Sequence, residues 1–586
     1  LAGKTVIFWK GKNMFIGLGK DNIASSIESF LREENLNALA ALIYGPHAGG
    51  YADEKSSVNV LIIVESSRPI LKHLSRNLGS MKIRLLIADR EKFEKDVEDE
   101  KLGGILAELL MTPYEPIFNE EYLWRREVKF KKRVADNILR NLILSFPEMS
   151  RELVIKSEYL MFESMRRRAS LFPLIIFRFL NIARKDVKER NYALMMRGFT
   201  EALKELASEG KIQVFNDAFR ISESFIESFL REKIAWRFTK LFKNVRISIL
   251  HQVIRVLPSV VNPLLDEFRI YRRNTANSRS AKNSIFKLED PRKYIFVPTP
   301  SGMVPFTEKI TIDGYLRKHM SQRHALKHEI KRLGGVLNTV YLLKISGCER
   351  EEKIVVKVFK DWYGWKWFPL ALWTLGTRDF AILGKSRLER EYALNIFLSK
   401  NGINVPRIIY VAPEERLLFQ EFVEGISLSK AIKVLFRGAA GSDSGSEILK
   451  FIRLVGGEIA KIHSLDVAIG DCKPENILLS EDGKIFFVDL EQAERGGDKS
   501  WDIAEFLFYL GHYAPLSSFK YIEEVVSEFI GGYLELGGKV DVVKRALSPR
   551  YIKVFGLLVP PHVIFAISDA CRKTLKLKER QRQKQY

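Results

Sequence analysis

The decapeptide GDCKPENILL, Gly470 to Leu479, and the run EDGKIFFVDL that follows it constrain this chain more than any other feature. They set a carboxylate, Asp471, two residues before a cation, Lys473, and five before an amide, Asn476; a second carboxylate, Asp489, follows at 489 − 471 = 18 residues. That interval holds a loop, a β-hairpin and a carboxylate at the hairpin's end. Phosphoryl transfer needs these groups in this order. One carboxylate orients the attacking hydroxyl and accepts its proton, while an amide and a second carboxylate hold Mg²⁺ or Mn²⁺ on a triphosphate. A lysine beside the base supplies positive charge where it is needed on the γ-phosphoryl oxygens. Asp471 and Lys473 are therefore the catalytic candidates, and Asn476 and Asp489 the metal ligands.

Further parts of such a site come upstream in order. EKIVVKVFK reads as a strand whose Lys357 grips the α- and β-phosphates. SRLEREYALNIFLSKNG reads as a helix whose Glu391 pairs with that lysine. Glu389 is the alternative partner, because helical period alone does not separate the two. HEIKRLGGVLNTVYLLKI, residues 328–345, reads as strand, turn and strand over a nucleotide, with Gly334 and Gly335 letting backbone approach phosphate. RIIYVAPEERLLFQEFVEG gives two strands and a hinge, where backbone groups from Glu421 to Val423 meet adenine. Downstream, GGEIAKIHSL reads as a helix entering the loop. Asp502 in SWDIAEFLFYL opens a buried helix and braces the loop backbone.

Taken together, NGINVPRIIYVAPEERLLFQEFVEG, IAKIHSL, GDCKPENILL and VDLEQA resemble the short, atypical branch of the protein-kinase-like fold over about residues 320–586. Within it the resemblance is to the archaeal kinase subunit of the KEOPS tRNA-modification complex, then to Rio kinases and aminoglycoside-type phosphotransferases. It implies a bilobal domain, assigned to residues 284–586 with a basic C-terminal tail, that uses ATP and Mg²⁺. The sequence departs from the usual pattern in three places. Ile469-Gly470 replaces the His-Arg pair before the loop aspartate, although a glycine there also occurs in the atypical branch, and the loop reads as active. Leu490-Glu491 replaces Phe-Gly after the metal aspartate, and 502 − 489 = 13 residues are too few for a long peptide-docking activation segment. An insertion at 361–379 carries Trp362, Trp365, Trp367 and Trp373, which read as packing on the small lobe or as a membrane-interface or partner surface. GAAGSDSGS, residues 438–446, reads as a loop insertion between two helices.

The first 283 residues read differently. Residues 1–120 alternate an amphipathic SIESFLREENLNALA with apolar strands in LNALAALIYG, VNVLIIVES and KIRLLIAD, the pattern of an α/β domain. YGPHAGGYADEKSSVNVLIIV resembles the opening of a minimal nucleotidyltransferase, in which an Asp-x-Asp pair holds two metal ions. Ser57 and Asn59 stand at those positions, so the resemblance implies a degenerate domain; an unrelated small α/β domain is the alternative. Residues 121–270 are helical and basic, and helix, Gly210 turn, strand, NDA turn and strand form the ending of a winged helix, which docks nucleic acid or protein. Residues 271–283 read as a polar linker.

Lys and Arg number 94 against 72 Asp and Glu, a net charge of +22, which favours a polyanionic partner; RNA is the candidate, through Arg166 to Arg168 and the tail. Three isolated cysteines indicate neither a disulfide framework nor a zinc knuckle, and the expectation is a cytoplasmic protein without a transmembrane segment. Three readings follow. The first is an atypical serine/threonine protein kinase or kinase-derived ATPase, with a protein substrate or partner complex associated with RNA. The second is a small-molecule kinase of the aminoglycoside-phosphotransferase type, and the third a nucleic-acid-binding scaffold whose kinase domain senses nucleotide.

Overall fold

The computed structural model describes residues 20–78, 81–234, 236, 258–276, 288–320, 327–334, 338–346, 351–361, 381–439, 443–513, 519–556 and 559–583. The chain is multidomain and of mixed α and β structure with several sheets. It forms two compact units: Leu1–Pro147 with Val154–Ile295, and Glu148–Leu153 with Phe296–Tyr586.

In the first unit, α1 (Lys20–Glu33) sets Ile23, Ile27 and Phe30 on one face, which packs on the strands β1 (Ala38–Tyr44), β2 (Val58–Val64) and β4 (Met81–Asp89). The helix stops sooner than the pattern of SIESFLREENLNALA predicts, because Asn35 turns left-handed at φ 52° and the apolar run beyond it is extended. With β3 (Leu71–Leu78) and β5 (Tyr114–Phe118) the sheet runs β3-β4-β2-β1-β5, where β2 and β4 are parallel and the other neighbours antiparallel. β3 was not legible in the sequence: LKHLSRNL is a polar, half-exposed edge.

Helices α2 (Pro46–Gly49), α3 (Arg90–Asp99), α4 (Glu120–Ser145), α5 (Glu158–Leu171), α6 (Ile176–Ile182) and α7 (Lys188–Ser208) follow. After α7 comes the hairpin of β7 (Ile212–Phe215) and β8 (Ala218–Ile221), turned at Asn216 with φ 54°; β8 also pairs with β6 (Val154–Lys156). The basic residues that suggested a polyanion-binding face are largely paired within the unit. On α4, Arg126 meets Glu94 at 2.7 Å, Lys131 meets Glu127 at 2.7 Å, and Lys132 meets Glu205 and Glu209 at 2.8 and 2.6 Å. Arg166 and Arg167 both bind Glu163, and Arg168 binds Glu108. Part of the stretch expected to be a linker is helical: α8 (Pro258–Ala276) includes residues 271–276, held by Arg273 on Asp53 at 2.9 Å, and residues 277–283 lie outside the described residues.

From Phe296 onward the second unit contains the hairpin of β9 (Ile295–Thr299) and β10 (Gly302–Pro305), then α9 (Ile312–Met320). An antiparallel sheet follows in the order β11-β12-β13-β15-β14, built from β11 (Lys327–Gly334), β12 (Thr339–Ser346), β13 (Glu351–Val358), β14 (Ile408–Ala412) and β15 (Leu417–Glu421). Helix α10 (Gly384–Lys400) precedes β14. Beyond the sheet the unit is mainly helical: α11 (Leu428–Val434), α12 (Asp443–Ser464), α13 (Lys499–Tyr509), α14 (Phe519–Glu535), α15 (Val540–Ala546), α16 (Pro549–Phe555) and α17 (Pro561–Gln583). Small strands β16 (Gly425–Ser427), β18 (Ile477–Ser480) and β19 (Ile485–Phe487) form one sheet, and β17 (Val467–Ala468) pairs with β20 (Glu494–Arg495).

Helices α12 and α14 pack backbone to backbone, because Gly456 faces the Phe529 carbonyl and Gly532 the Arg453 carbonyl, and a Cβ at either would collide. The loop expected at 438–446 is shorter than read: Asp443–Ser446 form the first turn of α12, with an aspartate at its start. The tryptophans at 362, 365, 367 and 373 lie outside the described residues. Among the described residues no helix is long and apolar enough to cross a membrane.

Candidate active site

Strand β13 carries Lys357, paired in register with Val340 of β12 and Leu418 of β15. Its Nζ lies 2.8 Å from Glu391 Oε1 and 3.1 Å from Asp489 Oδ1. Burial alone would lower the lysine pKa, but the two carboxylates hold it above the ordinary value. Burial alone would likewise raise Asp489, yet Lys357, with Lys473 and Arg387 behind it, keeps that carboxyl below the usual range. Glu391, deeper in the cluster, is pushed up by burial.

The choice left open between Glu391 and Glu389 is settled by the helix itself. Two positions apart is about 200° around α10, so the two side chains leave opposite sides. Glu389 accepts the backbone N–H groups of Glu148 and of Met149, the latter at 2.8 Å.

In the loop, Asp471 Oδ2 accepts from Lys473 Nζ at 2.7 Å and from Asn476 Nδ2 at 2.9 Å. Asn476 Nδ2 also reaches the Asp471 carbonyl at 3.0 Å. Asp471 holds Lys473 above its ordinary pKa against the effect of burial. With Nδ2 donated to Asp471, the Asn476 amide offers its oxygen, and Asp489, with Oδ1 on Lys357, offers Oδ2. Two hard oxygen donors suit Mg²⁺, which takes its remaining ligands from water and phosphate. Among the described residues no cluster of three or more His, Cys, Asp or Glu could hold a metal by itself. Asp489 takes a left-handed φ of 67°, a conformation that aspartate tolerates better than most residues and that commonly marks functional turns.

The loop is braced from below. Asp502, fully buried on α13, accepts from Ile469 N at 2.6 Å and Gly470 N at 2.7 Å, and His463 Nε2 lies 3.1 Å from it. His463 Nδ1 in turn meets Tyr533 Oη at 2.9 Å, and Glu505 accepts from Cys472 N at 2.7 Å. Sequence reasoning found Asp502 but not His463, Glu505 or Tyr533. The IHSL motif already displayed the histidine.

A second buried group was also missed. Arg387, with no exposed surface, binds Glu491 at 3.0 Å and donates to the Lys360 carbonyl at 2.9 Å, and Asn338 bonds both Arg387 and Glu491. Burial and the nearby Asp489 raise the Glu491 carboxyl to about 7 against the pull of Arg387. Arg387 and Glu391 stand at i and i+4, one face of α10, which ties that helix to the segment after Asp489.

Gly334 ends β11 opposite Val340, itself opposite Lys357, so it stands two strands from the lysine; Gly335 lies outside the described residues. In the hinge, Glu421 N donates to the Arg407 carbonyl at 2.9 Å and Phe422 N to the Lys353 carbonyl at 3.2 Å, and the half-buried Val423 follows. The Glu421 side chain accepts from Arg407 N at 2.8 Å, so Glu421 is tied to Arg407 through both its backbone N–H and its carboxylate.

The lysine strand, the glutamate helix, the hinge, the Asp-x-Lys-x-x-Asn loop and Asp489 all lie within one stretch that resembles known proteins. Residues 346–508 match the family model described as lipopolysaccharide kinase (Kdo/WaaP) family. The KEOPS complex subunit Bud32 of Pyrococcus abyssi is 28% identical over 157 residues, 27% of this chain and 67% of that protein. A probable bifunctional tRNA threonylcarbamoyladenosine biosynthesis protein of Methanobrevibacter smithii is 29% identical over 158 residues, 26% of this chain and 26% of that protein. The second unit thus has a protein-kinase-like fold that resembles KEOPS Bud32.

Proposed function

We propose that the second unit is an ATP- and Mg²⁺-dependent phosphotransferase, an atypical kinase or kinase-derived ATPase. The observation that carries this reading is the paired cluster itself: Lys357 held between Glu391 and Asp489, and Asp471 held by Lys473 and Asn476. Lys357 supplies charge for the α- and β-phosphates, Asn476 and Asp489 the oxygens for Mg²⁺, and Gly334 and the Glu421 to Val423 backbone the walls around the nucleotide. Asp471 orients the acceptor hydroxyl and takes its proton. Lys473 stabilises the charge on the transferred group.

A serine or threonine of a protein is the first acceptor to consider, within an assembly such as the relative's name describes. A small carbohydrate-like acceptor is the second reading, favoured by the 13-residue interval from Asp489 to Asp502 and by the lipopolysaccharide-kinase match. RNA contact rests on the net charge of +22, and the internal pairing of the α4 and α5 arginines weakens it. Incubation of the full chain with γ-labelled ATP and Mg²⁺, against protein, small-molecule and RNA fractions, tests the reading. Transfer to one fraction names the acceptor class, phosphate release alone makes the site an ATPase, and neither binding nor loss of γ-phosphate refutes it.

A further inference from the structure

The segment Glu148–Leu153 belongs to the second unit, although its chain neighbours on both sides, Pro147 and Val154, belong to the first. It lies along α10 on the side away from Lys357. Near the start of the helix, Glu389, 1% exposed, takes the N–H groups of Glu148 and Met149. At the helix end, Lys400 meets Glu152 at 3.0 Å.

Between these points stands Arg495. Its guanidinium covers the Phe397 ring of α10 at 4.0 Å, its Nε lies 3.6 Å from Glu148 Oε2, and its N–H reaches Glu148 Oε1 at 3.2 Å. Arg495 is in β20, in register with Val467 of β17, two residues before the Ile469 that Asp502 braces. One short strap therefore grips both the helix that carries Glu391 and the strand pair that leads into the catalytic loop and out of the Asp489 segment.

This arrangement has a chemical consequence. Glu389 cannot keep its two backbone bonds if α10 rotates or slides by a residue, and a buried carboxylate that loses them is costly. The strap thus penalises any position of α10 other than the one that places Glu391 on Lys357. We propose that Glu148–Leu153 is a built-in positioning element, with Glu389 and Arg495 as its contacts, that holds α10 in the orientation required by the Lys357–Glu391 pair. The proposal deepens the phosphotransferase reading and rests on it for its effect on turnover. Its effect on α10 stands alone.

The test uses the full chain as wild type, Glu389→Ala, Glu389→Gln, Arg495→Ala, Glu391→Ala and the Glu389→Ala/Glu391→Ala double variant. Hydrogen exchange of the α10 amides and Mg·ATP turnover are both followed. Glu389→Ala and Arg495→Ala should speed exchange over residues 384–400 and leave α12 and α14 unchanged. Glu389→Ala should cut turnover by about 10- to 100-fold, the scale of a misplaced catalytic group, with the loss in kcat. Glu389→Gln keeps an acceptor oxygen and should lose much less. In the Glu391→Ala background, Glu389→Ala should cost nothing further, because it acts through Glu391. Unchanged α10 exchange in folded variants, or additive losses in the double variant, overturns the proposal. If Glu389→Ala does not fold, Arg495→Ala and Glu148→Ala carry the exchange arm. A wild type without turnover refutes the phosphotransferase reading, and α10 exchange still decides the strap.

Discussion

Gly470 donates its backbone N–H to Asp502 Oδ1 at 2.7 Å from a left-handed φ of 84°. The position just before Asp471 thus needs a residue free to adopt that conformation, which glycine does without strain. The Ile469-Gly470 pair in this light forms a braced loop entry, because Asp502, itself in contact with His463, takes both of its backbone N–H groups.

Asp502→Ala should therefore destabilise the second unit. It leaves two buried N–H groups and His463 without their acceptor, and each unsatisfied buried group costs about 1–3 kcal/mol. A loss of about 3 kcal/mol or more in urea unfolding is expected, and Asp502→Asn, which keeps one acceptor oxygen, should lose less. An alanine variant as stable as wild type would show that the brace is not needed.

The two site aspartates should separate by role. Asp489→Asn removes the anionic metal oxygen and should abolish Mg²⁺-dependent turnover. Asp471→Asn should lower turnover by about 10²-fold or more, the usual worth of a general base. Both should fold as wild type by circular dichroism, since neither position is fully buried. Equal, small losses in the two variants would contradict the assignment.

What the sequence made legible was local. Asp471, Lys473 and Asn476 lie within six consecutive residues, and one hairpin delivers Asp489, so spacing alone brings them together. Lys357 and Glu391 were found by order along the chain, but the choice of Glu391 over Glu389 needed the direction of each side chain around α10. The strap was invisible, because Glu389 and Glu148 are 241 residues apart and a lone Glu-Met-Ser run carries no periodic signal. Arg387 and Glu491 were overlooked for a related reason: charged residues on a helix and in a loop read as solvated until their burial is known. The RRR run at 166–168 read as a basic surface, and its pairing with Glu163 and Glu108 could not be seen from the sequence.

Glu389 should also leave a mark on pH dependence. Burial raises its carboxyl to about 7, with the neighbouring Glu148 adding to the rise and the strap N–H groups and Arg390 opposing it. Because the folded pKa lies above the unfolded one, the native state binds the extra proton, and its stabilising contribution is full below about pH 4.3. That contribution is lost as pH rises toward 7. Glu389→Gln cannot titrate, so its stability should vary less than that of wild type across this window, as measured by denaturant unfolding at several pH values. Parallel pH curves for the two proteins would refute the assignment.

The first unit should transfer no nucleotide, and restoring carboxylates should not repair it. Ser57 and Asn59 are buried where the resemblance would place metal-binding acids, and a carboxylate of α8 already stands near Asn59. Glu267 of α8 receives Tyr51 Oη at 2.9 Å and Asn181 Nδ2 at 2.8 Å, with Arg178 at 3.4 Å. A Cβ on Gly45 would stand within 4 Å of both Asn59 and Glu267, so the buried amide and the buried carboxylate are near neighbours. Asn59→Asp would put a second negative charge there, and two buried like charges oppose each other's ionisation. The variant should lose on the order of 2 kcal/mol of stability and gain no metal-dependent activity. Adding Glu267→Gln removes the opposing charge and should recover part of the loss, a coupling that a distant pair would not show. Nucleotidyl transfer by Ser57→Asp/Asn59→Asp, retained when Asp489 is changed to Asn, would show instead that α8 leaves the site open.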